Sequence, residues 1–437
     1  MRIAVGLVAL AAGVASAAGA ETGLKRVDCR FAIPAGRVAD CYQLTVPEKH
    51  DGGSARTIVL PVAVLKSKSE LRHDDPIVYL TGGPGSAVGL FPDEMAGWWP
   101  YFDAVPWLAG RDLVLMDQRG SGLSEPVLDC PEIEQVGLRL LQQSPDEAGR
   151  RTTYLAASEA CRERLAATGI DLGAFDSAAT AADFVALVAG LGLKSWNIYS
   201  VSYGTRLALT IARGDPAGLR AVILDSAYPP EEHFFERRRL AIEQGLAALR
   251  IACTARQDCA NEFPDIAKTI VAAVERLEAA PLMAKLEQDG KSEPVAFTGE
   301  LLLEEILDML NNRDAMIEIP VLLRGLAAGE IAAAEGAVAD LAATYIGANR
   351  FAEGKYFAVD CEEEVPFTDT GRLAADIEAH EAFDDYGIVT DDWAACQAWI
   401  GADAAANDKS PVESTVPALV LQGGFDSVNR LVESRSA

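Results

Sequence analysis

A chain of 437 residues that is 50% hydrophobic and 24% charged can bury a large core, which argues against disorder over most of its length. Its 38 basic residues stand against 65 acidic ones, leaving a formal charge of −27. That balance disfavours nucleic acid and anionic membranes as partners, and it carries no information about the fold.

The first twenty residues read as a secretory signal. Arg2 supplies the positive end, Ile3 to Val14 the apolar stretch, and Ala18-Gly19-Ala20 a small-residue cleavage site before Glu21. An uncleaved anchor is the alternative, but the stretch is short and rich in Ala and Gly rather than Leu and Ile. No Cys stands at the cleavage site, and no later run is apolar enough to span a bilayer. The expectation is an exported protein, periplasmic or secreted, with no membrane contact once the signal is gone.

Eight cysteines follow the signal: Cys29, Cys41, Cys130, Cys161, Cys253, Cys259, Cys361 and Cys396. An even count behind a signal implies disulfides, because the compartment is oxidising. Sequence alone leaves the connectivity open. Sequential pairing (29–41, 130–161, 253–259, 361–396) is the simplest expectation, since each pair is close in the chain. Zinc is the rival use of these cysteines, yet there is no CxxC and none of the four histidines has ligand spacing. No metal and no cofactor is expected.

In chain order, strand-like runs occur at 42–46 and 57–65, with a turn at Asp51-Gly52-Gly53 between them. Five short apolar runs follow, at 76–80, 112–116, 196–199, 220–224 and 417–421, each closed by Gly or Asp or by a Ser-rich turn. Strands buried on both faces of a parallel sheet have this character. Helical patterns at 178–191 and 205–212 alternate with them, so the fold class is α/β, a doubly wound and mostly parallel sheet whose function sits at the carboxyl ends of its strands. Residues 228–415 differ. They carry helical patterns at 237–252, 265–280, 300–311 and 321–345, few strand signals, and are expected to form a helical cap inserted between residues 21–227 and 416–437 of the core.

The strongest chemical signal is Ser200-Val201-Ser202-Tyr203-Gly204, between a strand and a helix. A nucleophile elbow forces its central Ser into a strained turn, so the positions two before and two after must be small. Gly204 meets that demand, and Ser200 meets it in size while departing from the usual Gly. A bland Ser-rich turn is the competing view, and the flanking strand and helix argue against it. The second signal is Gly82-Gly83-Pro84-Gly85, where the backbone can approach a substrate closely. The amides of Gly83 and Tyr203 are the expected pair of oxyanion donors.

Gly82 to Gly85, Asp117-Gln118-Arg119-Gly120-Ser121-Gly122-Leu123-Ser124 and Ser202-Tyr203-Gly204-Thr205 together resemble the prolyl and tripeptidyl aminopeptidase family of α/β-hydrolases. The likeness runs from about Cys29 to Val428 and includes the Cys-rich helical insertion of the secreted tripeptidyl aminopeptidase-like branch. Thr81 stands where prolyl aminopeptidases carry a His, which favours the tripeptidyl branch. The resemblance implies hydrolysis of a peptide bond near a free N-terminus, on a peptide or small acyl substrate. It makes Ser202 the nucleophile and Asp426, in Gly423-Gly424-Phe425-Asp426, the acid that orients the base. Asp225 also ends a strand, but Ser226 to Pro230 match a family segment that is not catalytic.

In this fold the base follows the acid, as Ser, Asp or Glu, then His. No His follows Asp426; His50, His73, His233 and His380 all precede it. The tail 427–437 also lacks the family's Pro-containing turn and reads as a frameshifted or truncated end, with a strand and helix of the sheet missing and the run at 417–421 left as an edge. Arg119 is expected to pin its loop. Substrate selection is expected in the insertion, where a buried carboxylate could receive an α-ammonium group, with Glu231 and Glu232 as candidates. Trp98, Trp99 and Tyr101 either line a pocket or simply pack. The sequence therefore points to an exported peptidase-like serine hydrolase. An esterase or amidase on the same scaffold, and a family member that has lost its chemistry, remain alternatives.

Overall fold

A computed structural model describes residues 23–143, 147–288, 291–345, 350–379, 388–400 and 409–429. The expected signal at 1–20 and His380 lie outside these residues, as does most of the tail.

The sheet is built from β1 (Gly23–Val27), β2 (Ala39–Pro47), β3 (Thr57–Leu65), β4 (Ile77–Leu80), β5 (Leu113–Met116), β6 (Trp196–Val201) and β7 (Leu219–Asp225). A separate antiparallel hairpin, β8 (Leu282–Gln288) with β9 (Lys291–Phe297), precedes the last strand, β10 (Ala418–Leu421). Strand order is β1-β2-β3-β5-β4-β6-β7-β10. The first four strands in that order pair antiparallel, and β5-β4-β6-β7-β10 is parallel throughout. The chain leaves β4 for β5 on one side and later returns to β6 on the other. The carboxyl end of β4 is therefore a topological switch point, where open α/β sheets form their crevice.

The seven expected runs all form strands, and the central ones are the apolar runs that suit a sheet covered on both faces. β5 is buried at each of its four positions. Sequence reading missed β1, whose GLKRV is mostly exposed, and the β8–β9 hairpin, which buries only alternate residues such as Ala284, Leu286, Val295 and Phe297. The helix expected over 321–345 is a pair, Ile319–Ala328 and Ile331–Tyr345. Gly329 breaks it by adopting φ +74°, the left-handed conformation that ends helices at low cost. The other expected helices form as Ser177–Gly190, Tyr203–Arg213, Arg238–Thr254, Ile266–Ala279 and Gly299–Leu310, with Asp176, Asp265 and Thr298 capping three of them.

Three core clusters result. Two gather the sheet and its flanking helices, one of them around Leu65, Ile77, Trp99, Phe102 and Leu115, and the third draws on residues from Ile242 to Ala342. Residues 228–415 divide between the last of these and the sheet, since Phe235, Phe357, Val359, Cys361, Cys396 and Trp399 join a core of the sheet. All four disulfides pair as expected: Cys29–Cys41, Cys130–Cys161, Cys253–Cys259 and Cys361–Cys396. Among the described residues β10 pairs only with β7 and is the outermost strand, with Leu419 54% and Leu421 40% exposed.

Candidate active site

Ser202 stands between β6 and the helix Tyr203–Arg213 at φ 54°, ψ −126°, a conformation that L-residues avoid unless the surroundings impose it. The surroundings do impose it. A Cβ on Gly204 would lie 2.3 Å from the Leu80 carbonyl oxygen, so only glycine lets the helix start this close to β4. Ser200, where the usual motif has Gly, is fully buried and donates its hydroxyl to Ile223 O at 2.8 Å. The sheet thus absorbs its extra atom. Ser202 N donates to Asp225 O at 2.8 Å, and Thr205 Oγ1 donates to Ser202 O at 2.7 Å while accepting Tyr228 N at 2.8 Å. The turn is fastened on both sides.

The glycine loop after β4 lies against this serine. A Cβ on Gly82 would come within 3.0 Å of Ser202 Cβ and 3.5 Å of its Oγ. Gly83 and Gly85 take φ +107° and +109°. Two residues that sequence reading assigned only to a structural loop hold this one in place. Gln118 Nε2 donates to Thr81 O at 2.9 Å, and the buried Asp117 carboxylate accepts Val88 N at 2.8 Å and Leu123 N at 2.9 Å. Burial pushes the Asp117 carboxyl up to about 6, against the pull of those two amides. The signal for both was an acid and an amide directly following a wholly apolar strand. Arg119 pins its loop as expected, through Asp183 at 2.6 Å and the carbonyls of Glu48 and Ala174 at 2.8 and 2.6 Å.

Asp426 lies in the turn after β10. Its Oδ1 accepts Val428 N at 2.9 Å and Asn429 N at 2.8 Å, and its Oδ2 accepts Gln422 Nε2 at 2.9 Å. Asn429 Nδ2 donates to Ser226 O at 3.1 Å, tying the turn to the end of β7. The neighbouring Asp225 is raised from the ordinary carboxylate range by burial, against a hydrogen bond from Tyr199 Oη, and raised further by the Asp426 charge. From the cap side, Arg238 Nη1 donates to Ser427 O at 2.8 Å. A Cβ on Gly245 would meet Ser427 Cβ at 3.1 Å and Phe425 O at 3.2 Å, so the helix Arg238–Thr254 rests directly on the turn.

The structure thus brings Ser202, Tyr203 and the 82–85 loop together, and sets Asp426 beyond Asp225 on the same edge. Among the described residues no histidine hydrogen-bonds Ser202 or Asp426. His50 Nε2 is 2.8 Å from Asp183 Oδ1, a partner that sequence reading did not foresee for a surface residue. His73 is exposed. His233 lines a small cleft with Val428 and Asn429 of the acid turn, and its Nδ1 is buried without a partner. Glu232 binds Arg237 Nη1 at 2.8 Å, whereas Glu231 Oε2 is buried with no partner. Trp98 packs edge-on to Tyr79 and donates to Val88 O, Trp99 is buried, and Tyr101 Oη donates to Tyr199 Oη at 3.2 Å. Trp99 packs in the core, whereas Tyr101 is 39% exposed.

Residues 75–288 match the family described as alpha/beta hydrolase fold. Over 229 residues the chain is 28% identical to tripeptidyl aminopeptidases of Streptomyces lividans and Streptomyces coelicolor, covering 50% of this chain and 41% and 40% of theirs. The matched part therefore spans about two-fifths of the length of these relatives. Among solved structures, a proline iminopeptidase from Mycobacterium smegmatis shares 16% identity (63% of this chain, 69% of that one, TM-score 0.28). A putative α/β hydrolase from Nostoc shares 14% (90% and 86%, TM-score 0.30). Strand order and sequence match agree on an α/β-hydrolase fold, and over about half of its length the chain is similar to tripeptidyl aminopeptidases.

Proposed function

We propose that the protein is an exported serine hydrolase that cleaves peptide bonds near a free N-terminus. The observation that carries this reading is the backbone of Ser202, held at φ 54° with the Gly82 backbone against its Cβ. That strain has no structural use unless the hydroxyl is presented for chemistry. Ser202 Oγ attacks the substrate carbonyl, and the amides of Gly83 and Tyr203 receive the oxygen as it becomes an oxyanion. The amine leaves with a proton, an ester to Ser202 remains, and water releases the acyl group. The serine proton has to pass to a general base and on to the leaving amine; Asp426 is the acid that would orient that base, and no histidine among the described residues bonds it or Ser202. Four disulfides, and the lack among the described residues of a helix long and apolar enough to cross a membrane, are in keeping with export.

One observation favours a second reading, a family member with impaired chemistry. The Asp426 carboxylate is held by Val428 N, Asn429 N and Gln422, and among the described residues no imidazole is bonded to it. A site without its base keeps only about 10³–10⁴-fold acceleration over water. Steady-state kcat/KM on tripeptidyl arylamides with free and acetylated N-termini, and on acyl esters, separates the readings. The free-amine arylamide is expected to be the best substrate, with turnover abolished in Ser202→Ala. Preference for the esters overturns the peptidase assignment. Equal background rates for Ser202→Ala and the parent chain support the impaired reading.

A further inference from the structure

Beside the acid turn, on the cap side, lies a cavity of about 290 Å³. Its walls are Arg238, Glu304, Glu305, Leu307, Asp308, Asn311, Asp340, Leu341 and Ser427, so four carboxylates face a single guanidinium. Among the described residues Glu305, Asp308 and Asp340 form no ion pair. Burial, followed by the charges of Asp340, Asp308 and Glu304, pushes Glu305 up to about 7. Glu305, Asp308 and Asp340 thus stand together without a counter-cation, and adjacent carboxylates so placed repel one another.

A second, independent feature points into the same cavity. Ser427 is fully buried, lines this pocket, and its Oγ has no hydrogen-bond partner. A buried hydroxyl without a partner is uncommon and marks a place that a donor or acceptor completes. Ser427 adjoins Asp426, and Arg238, also in the lining, donates to the Ser427 carbonyl. The cavity is therefore built against the turn that carries the orienting acid.

We propose that this cavity is the subsite for a basic side chain of the substrate, a lysine or arginine held away from the bond being cut. The shape favours a side chain over a bare α-ammonium group. The cavity is larger than one ammonium fills, and the buried Leu307 and Leu341 offer an apolar lining for a methylene stem. The cationic head then sits between Asp308 and Asp340, and Arg238 disfavours a second cation at the end nearest Asp426. The proposal rests on reading Ser202 and Asp426 as the reacting centre, but its test does not depend on turnover.

The experiment is calorimetric titration of the folded full chain with three amides: Nα-acetyl-lysine amide, Nα-acetyl-norleucine amide, and norleucine amide with its free α-amine. The lysine derivative is expected to bind roughly tenfold tighter than its norleucine counterpart, the size of effect that a partly buried charge pair supplies. Asp308 and Asp340 are exposed, so Asp308→Asn with Asp340→Asn leaves folding intact and is expected to erase that preference. Equal binding of the two acetylated amides overturns the proposal. Tight binding of norleucine amide alone does so too, assigning the cavity to the N-terminal ammonium. If Ser202 proves unreactive while lysine selectivity persists, the hydrolase reading fails and the cation subsite stands.

Discussion

The two halves of the candidate site are held by different physics. On the nucleophile side everything is fixed by contact: Gly204 against Leu80 O, Gly82 against Ser202, and Asp117 bonding both Val88 N and Leu123 N inside the sheet's loops. On the acid side the turn follows an outermost strand with exposed leucines, and it is anchored by Asn429 to β7 and by Arg238 and Gly245 to the cap. The first half is preorganised by the core. The second depends on where the helix Arg238–Thr254 rests, so the position of Asp426 is mechanically linked to that helix.

Breaking the nucleophile half is expected to have the largest effect. Gly204→Ala places a Cβ 2.3 Å from a backbone oxygen that cannot yield without moving β4. Thermal or denaturant unfolding should show a loss of about 3 kcal/mol, at the upper end of overpacking costs. A loss under about 1 kcal/mol would mean the elbow is not confined as described.

Asp117 sharpens the same half through pH. Its folded pKa of about 6 lies above the usual 3.8, so between those values the folded state binds the proton and the unfolded state does not. Stability from this group is thus greatest below the usual carboxylate range and declines as pH rises to about 6, by on the order of 3 kcal/mol in total. Melting curves of Asp117→Asn and the parent chain at pH 4.5 and 6.5 measure it. The variant should lack that part of the decline, and identical pH profiles would contradict the burial account.

Gly245→Leu tests the acid half. Its side chain would lift the cap helix from Phe425 and Ser427. Unfolding free energy is expected to fall by about 1–2 kcal/mol, less than for the elbow variant, because the cap can shift outward. Hydrolysis should fall much further than stability, since Ser427 carries Asp426 with it. Equal losses in both measurements would dissolve the distinction between the halves. His233→Ala is expected to have the smallest effect. It removes a ring that borders the acid turn without bonding Asp426, so kcat should change by no more than about twofold, whereas general acid–base catalysis contributes about 10²–10⁴-fold.

The nucleophile half was legible in the sequence because steric demand leaves few residue choices. A short run buried on both faces, then a serine framed by Ser200 and Gly204, describes the elbow almost completely. The reading of Asp426 as the orienting acid rests only on family resemblance, since an acid in a Gly-Gly-Phe-Asp turn has no distinctive local physics. The layering of 228–415 was not legible at all. Phe357, Cys361 and Trp399 join the sheet's core while Leu302 and Ile306 form another, yet helices packing on a sheet or on helices share one apolar periodicity. The break at Gly329 was readable in principle, as a glycine between two apolar helical stretches.

The most direct test is reaction of the folded chain with a fluorophosphonate, followed by peptide mapping. The account predicts one phosphonyl adduct, on the Ser202 hydroxyl, absent from Ser202→Ala and reduced in Gly204→Ala. A folded chain that carries no adduct at Ser202, or an adduct on another serine, would contradict it.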